Sequence, residues 1–132
     1  MSGESLCVVI DVPKWSFVKR KDDGSVDFIS PLPSPFNYGH VPDTLAEDGD
    51  AFDAVVLGAR LSPRSRVTVP VQGRMGFIDA GESDPKWICS QQPLRATERR
   101  QVERFFRRYA VAKRLINRVR RKQGPTRYLG WL

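Results

Sequence analysis

Six aspartates and one lysine carry the clearest chemical signal in this 132-residue chain. Asp48-Gly49-Asp50-Ala51-Phe52-Asp53 sets three carboxylates within six positions, around a glycine that lets the backbone turn tightly. Asp79 and Asp84 fall in a glycine-containing loop between two predicted strands, with Lys86 two residues further on, and Asp11 lies near the end of the first predicted strand. A single aspartate in a turn is usually a local hydrogen-bond acceptor. Three together in an apolar context repel one another unless something cationic stands among them. Oxygen ligands without Cys or His select magnesium, manganese or calcium over zinc. The spacing is not that of a twelve-residue calcium loop with its terminal Glu. Magnesium fits best, because it usually keeps several waters and combines few protein carboxylates with substrate phosphates.

These residues need a scaffold, and the pattern around them is β-rich. Leu6 to Val12, Asp53 to Leu57, Arg66 to Val71, Arg74 to Ile78 and Lys86 to Cys89 are short β-branched or apolar runs bounded by turn residues, with a weaker one at Val26 to Ile29. From Glu98 to about Lys122 there is no Gly or Pro, and Thr97 is the expected N-cap. Val102, Phe105, Phe106, Tyr109, Ala112, Ile116 and Val119 recur at three- and four-residue steps and give that helix one apolar stripe. At ~1.5 Å per residue it runs about 37 Å, so its far end is expected to project. Five or six short strands and one long helix predict an α+β fold: a small five-stranded closed β-barrel with the C-terminal helix packed on it. No linker divides the chain, so residues 1–132 read as one domain.

Composition narrows the partners. The net charge of +7 is the sum of two unlike parts. Residues 1–94 hold 9 basic and 13 acidic side chains, and residues 95–132 hold 13 basic and 2 acidic ones. An acidic body is thus joined to a strongly basic helix segment, which points to an anionic partner. No apolar run approaches the roughly 20 residues that cross a bilayer, and the first residues lack a secretory pattern. Cys7 and Cys89 are far apart in sequence, without a CxxC pair or clustered His, and read as free buried thiols in a reducing cytosol. The apolar end, Tyr128-Leu129-Gly130-Trp131-Leu132, has two uses open to it: docking on its own body, or an assembly contact in a homo-oligomer.

Asn37-Tyr38-Gly39-His40 followed by Asp48-Gly49-Asp50-Ala51-Phe52-Asp53 resembles the signature region of the soluble family I inorganic pyrophosphatases, whose motif reads D-G-D-P-x-D with N-Y-G upstream. Val8 to Trp15 is similar to that family's first strand, with Asp11 where Glu is usual. Asp79, Asp84 and Lys86 match its D-x(4)-D-x-K spacing, and Phe105-Phe106-Arg107-Arg108-Tyr109 its C-terminal helix motif. The resemblance implies a pyrophosphatase-type, OB-like barrel, a cytosolic setting, and magnesium-dependent hydrolysis of pyrophosphate to two phosphates, with manganese as a substitute metal. It implies that Asp48, Asp53, Asp79 and Asp84 hold the core metals, that Asp50, itself counted among the metal-binding carboxylates, orients and deprotonates the attacking water between them, and that Asp11 binds further metals. It also implies that Lys86, Tyr38 and Tyr109 contact phosphate or metal-bound oxygens, with Lys19 as the first phosphate-binding lysine. His40 is expected to support the site rather than catalyse.

The departures fall on the phosphate side. Lys21 stands where the family has an acid, Ser30 where it has a phosphate-binding arginine, and Ser34 where it has a tyrosine. Ala51 replaces the motif proline and Ala110 the lysine after the helix tyrosine. Candidate replacement cations are Lys19, Arg20, Lys21, Arg74 and Lys113, the last being four residues after Tyr109 on the same helix face. Two other readings stay open: the same metal chemistry on an organic diphosphate, with Ser30 and Ser34 opening space, or a weakly catalytic module whose basic helix and tryptophans bind nucleic acid. The small diphosphate is the favoured partner, with no role for a membrane.

Overall fold

The computed structural model describes residues 4–16, 18–20, 26–29, 32–47 and 49–132, with the backbone alone described at 18–20 and 26–29. Strand β1 spans Ser5–Val12, β2 Val18–Arg20, β3 Val26–Ile29, β4 Asn37–Val41 and β5 Phe52–Val56. They are followed by β6 at Arg66–Asp79, β7 at Glu82–Ser83, β8 at Lys86–Cys89, helix α1 at Ala96–Val119 and β9 at Arg127–Trp131. The strand neighbours run β1-β4-β5-β8-β6, and β6 pairs back onto β1. The five-stranded ring therefore closes, as the sequence pattern predicts. All its pairs are antiparallel except β5 with β8.

Alternating residues divide the ring's two faces between two cores. Val8, Ile10, Val41, Ala54, Val56, Val69, Val71 and Cys89 cluster together. Phe36, Val55, Met75, Phe77 and Ile88, from the opposite face, pack with Val102, Phe105, Phe106 and Ala110 of α1. Gly39 has no room for a side chain, because a Cβ there would run into the carbonyl of Val9 on the adjacent strand.

Four expectations need correction. The runs at Arg66 to Val71 and Arg74 to Ile78 form one 14-residue strand, since Gln72-Gly73 makes a register shift against β8 instead of a turn. A Cβ on Gly73 would press on the Trp131 ring, so this glycine serves a close approach. Helix α1 starts at Ala96 with Arg95 as its cap, not Thr97, because the Glu98 carboxylate reaches back to accept the Arg95 N–H at 2.9 Å. It ends at Val119, short of Lys122: Val119 is 83% exposed, and Arg121 takes the left-handed conformation (φ 57°) that stops the turn. Cys7 is exposed rather than buried, while Cys89 is buried as expected, and both are free thiols. The apolar end docks on its own body as β9 against β6, leaving Leu129 and Leu132 exposed.

Candidate active site

The site grows from one row of the ring. In register, His40 of β4 lies opposite Asp53 of β5, and Asp53 lies opposite Lys86 of β8. Tyr38, two residues from His40, points to the same face. Lys86 is buried to 1% exposure, and its ammonium donates to Asp53 Oδ2 at 2.7 Å and Asp84 Oδ2 at 2.8 Å. Tyr38 donates its hydroxyl to Asp53 Oδ2 at 3.3 Å. The rings of Tyr38, Phe77 and Tyr109 surround the ammonium at 5.8, 5.4 and 5.9 Å from their centroids. Burial alone would discharge Lys86, but the charge of Asp53, with Tyr38 and Asp84, outweighs it and holds the ammonium well above the usual lysine range. The phenols respond oppositely. Burial, with the negative charge of Asp53, keeps Tyr38 well above the usual tyrosine value and pushes Tyr109 up to about 12. Both are therefore neutral hydrogen-bond donors at physiological pH.

The other aspartates surround this centre without merging into it. Asp79, at the end of β6, receives Asn117 Nδ2 on Oδ1 at 2.7 Å and pairs with Lys113 Nζ through Oδ2 at 3.4 Å. Burial opposes its charge, yet the Asn117 hydrogen bond and the nearby Lys113 charge hold the carboxyl below its usual 3.8. Asp11 is the extra residue of a register shift between Ile10 and Val12, and the bulge lets its carboxylate meet His40 Nδ1 at 2.8 Å. Asp50 is exposed, in a turn built by Gly49 at φ 89° and an Ala46 N–H donated to the Asp50 carbonyl at 2.8 Å. Glu47 accepts the Ser83 N–H at 2.8 Å, so this turn is tied to the strand just before Asp84. Asp48, Lys21 and Ser30 lie outside the described residues, as do the side chains of Lys19 and Arg20.

The donor set fits a hard divalent cation in kind: the carboxylates of Asp53 and Asp84 converge on Lys86, and carboxylate oxygens suit magnesium or manganese. Among the described residues no three His, Cys, Asp or Glu side chains form a metal cluster. Asp53 and Asp84 meet at Lys86, and Asp79 is held separately by the helix. Lys113 thus faces Asp79. Arg74 is excluded as a site cation: it sits opposite Trp87 in register, with its guanidinium 5.3 Å from that ring, on the face away from Lys86. Ser34 is buried, its hydroxyl accepting the Phe36 N–H at 3.1 Å, so it opens no space for a bulkier substrate.

Three contributors were not foreseen. Asn117 interrupts no periodicity and gives no sequence signal beyond a polar residue beside an apolar stripe. Thr126, which accepts from Asn117 Nδ2 at 2.8 Å and from the Ala80 N–H at 3.0 Å, gave none. Asn37 stands out in the sequence only as part of the Asn37-Tyr38-Gly39 motif. Its buried amide donates to the carbonyls of Val56 and Ala59 and accepts the N–H groups of Lys14 and Leu61, stitching two loops to β4.

Comparison with known proteins agrees with this geometry. The family model described as inorganic pyrophosphatase matches residues 8–126. A soluble inorganic pyrophosphatase of rice (Oryza sativa subsp. indica) is 36% identical over 95 residues, covering 64% of this chain and 44% of the rice protein. The chain thus spans less than half the length of that relative. An inorganic pyrophosphatase of Synechocystis sp. is 29% identical over 144 residues, covering 94% of this chain and 80% of its own. The crystal structure of the inorganic pyrophosphatase from Thermus thermophilus superposes with a TM-score of 0.75 at 28% identity, over 97% of this chain and 82% of that one.

Proposed function

The chain belongs to the inorganic pyrophosphatase family, and on that premise we propose that it hydrolyses inorganic pyrophosphate to two phosphates, with magnesium as its metal and manganese as a substitute. The observation that carries this reading is the buried Lys86 ammonium, joined to two carboxylates and roofed by two neutral phenols. Two carboxylates against one ammonium leave the centre with surplus negative charge, which suits a divalent cation that in turn meets an anion. Asp48, Asp53, Asp79 and Asp84 are the residues we assign to the core metals, with Asp11 for those arriving with substrate. When bound, magnesium lowers the pKa of a water and neutralises charge on phosphate oxygens.

The chain's own groups supply the rest. An ammonium has three protons, and Asp53 and Asp84 use two from Lys86, leaving the third to donate to a phosphate oxygen. Tyr109, kept protonated by burial first, donates without adding negative charge, whereas Tyr38 gives its one proton to Asp53 and reaches the phosphate only by turning that proton away from the carboxylate. Asp50, exposed at its turn, accepts the proton of the attacking water. Lys113 and Lys19 supply further positive charge to the phosphates, Lys113 standing in for the lysine that Ala110 replaces. Two free thiols, one of them exposed, suit a cytosolic setting, and among the described residues no helix is long and apolar enough to cross a membrane. The nucleic-acid reading draws little support from two of the three tryptophans, since the Arg99 guanidinium lies 4.3 Å from the Trp131 ring centroid and that of Arg74 5.3 Å from the Trp87 ring; Trp15 alone of the three is well exposed.

Phosphate release from pyrophosphate, with and without magnesium, tests the proposal. Asp50→Asn should lower turnover by 100-fold or more, the usual cost of losing general-base assistance, while unfolding at an unchanged temperature. Absence of magnesium-dependent phosphate release, with Asp50→Asn indistinguishable from the parent, would reject it.

A further inference from the structure

The geometry points to Asn117 as a positioning residue that aims the Asp79 carboxylate, an assignment that rests on the proposed metal role of Asp79. The amide of Asn117 is 4% exposed, and both of its N–H protons are committed. One goes to Asp79 Oδ1 at 2.7 Å and the other to Thr126 Oγ1 at 2.8 Å. The amide cannot flip, because the reverse orientation would turn its carbonyl oxygen toward the carboxylate.

That orientation has a cost which a purely space-filling residue would avoid. Asn117 Oδ1 is buried and has no hydrogen-bond partner among the described residues. An apolar side chain would fill the position without such an orphan acceptor. The arrangement is explained if the donor edge is needed at Asp79. Each carboxylate oxygen carries two acceptor directions. Asn117 occupies one on Oδ1 and Lys113 one on Oδ2, so the carboxylate is fixed in orientation and still has acceptor capacity on both oxygens. The chain of contacts then runs on: Thr126 also receives the Ala80 N–H, clamping the residue after Asp79 to the segment entering β9. Helix, C-terminal strand and the end of β6 are thus locked together at one carboxylate.

Outer contacts of this kind typically change metal affinity by 10- to 100-fold when removed. The test is Mn2+ binding to the substrate-free protein by titration calorimetry, for the parent, Asn117→Ala, Asn117→Ser and Asp79→Asn, well below each variant's unfolding temperature. Asn117→Ala is expected to weaken Mn2+ binding by about tenfold and to raise the magnesium concentration needed for half-maximal turnover. Asn117→Ser, which keeps a small polar group but cannot span to Asp79, should behave alike and covers the case of a poorly folded alanine variant. Weakened binding in Asp79→Asn with parental binding in both Asn117 variants would overturn this inference alone. Parental binding in Asp79→Asn, or no Mn2+ binding by the parent, would remove the metal role of Asp79 and the inference with it.

Discussion

Replacing Lys86 by methionine isolates what its charge does, because the two side chains are similar in length and the site is buried. The change removes two charge-assisted hydrogen bonds, at 2.7 and 2.8 Å, and leaves Asp53 and Asp84 facing each other without a cation. Breaking a buried ion pair by deleting one partner usually costs about 3–5 kcal/mol. Asp84 has a side-chain exposure of 11%, but Asp53 is at 31%, so solvent screens part of the loss and about 3 kcal/mol is the better value. For a chain of this size that lowers the unfolding temperature by roughly 10 °C. The expected signature goes beyond simple destabilisation. Millimolar magnesium should recover more stability in the variant than in the parent, because two unpaired carboxylates now need a cation. Circular dichroism melts at pH 7, with and without magnesium, read both states. A variant that melts within about 3 °C of the parent, or whose deficit ignores magnesium, would refute the electrostatic account of this centre.

Two further outcomes follow from groups elsewhere in the fold. Cys7 is exposed, whereas burial pushes the Cys89 thiol up to about 12, so a thiol reagent at pH 8 should titrate one cysteine in the native protein and two in denaturant. The carboxyl of Asp79 sits below its unfolded value near 3.8, so its ionised form contributes stability above that pH, which is lost as pH falls through the lower folded value. Lys113→Met should therefore reduce the drop in unfolding free energy between pH 5 and pH 2.5. Denaturant titrations at the two pH values would show it, and an unchanged drop would mean that Lys113 does not hold that charge.

The ring was legible where apolar and β-branched residues alternate. Lys86 to Cys89 matched residue for residue, because a short apolar run bounded by turns has few other uses in a β-rich chain. Strand β4 gives no strand signal in the sequence, since Asn37, Gly39 and His40 have low β-propensity and are held in place by Val9, Asp53 and the loops that Asn37 ties down. The helix stripe was correct through Tyr109 and drifted afterwards. Past Ala110 the helix leaves the apolar core, and the next buried position is Asn117, at the end of β6. The aspartates were recognised from spacing, but spacing could not say that Asp53 and Asp84 meet at Lys86 while Asp79 is held by the helix. That division is set by side-chain contacts between elements far apart in sequence.

The closed ring has a consequence for how the chain reaches its native state. Strand β1 is the closing stave, bonded to β4 on one side and to β6 on the other. Ser5 pairs with Pro70 and Leu6 with Val69, contacts whose loop-closure entropy is lost before any gain in burial, which makes ring closure the slow step. Until β1 inserts, β4 and β6 both present open edges of backbone donors and acceptors. The segment that fits them best is β1 itself, and at high concentration the β1 of another molecule fits equally well. Refolding yield should therefore fall with protein concentration through strand exchange between chains, a hazard that ends once each ring has closed on its own first strand.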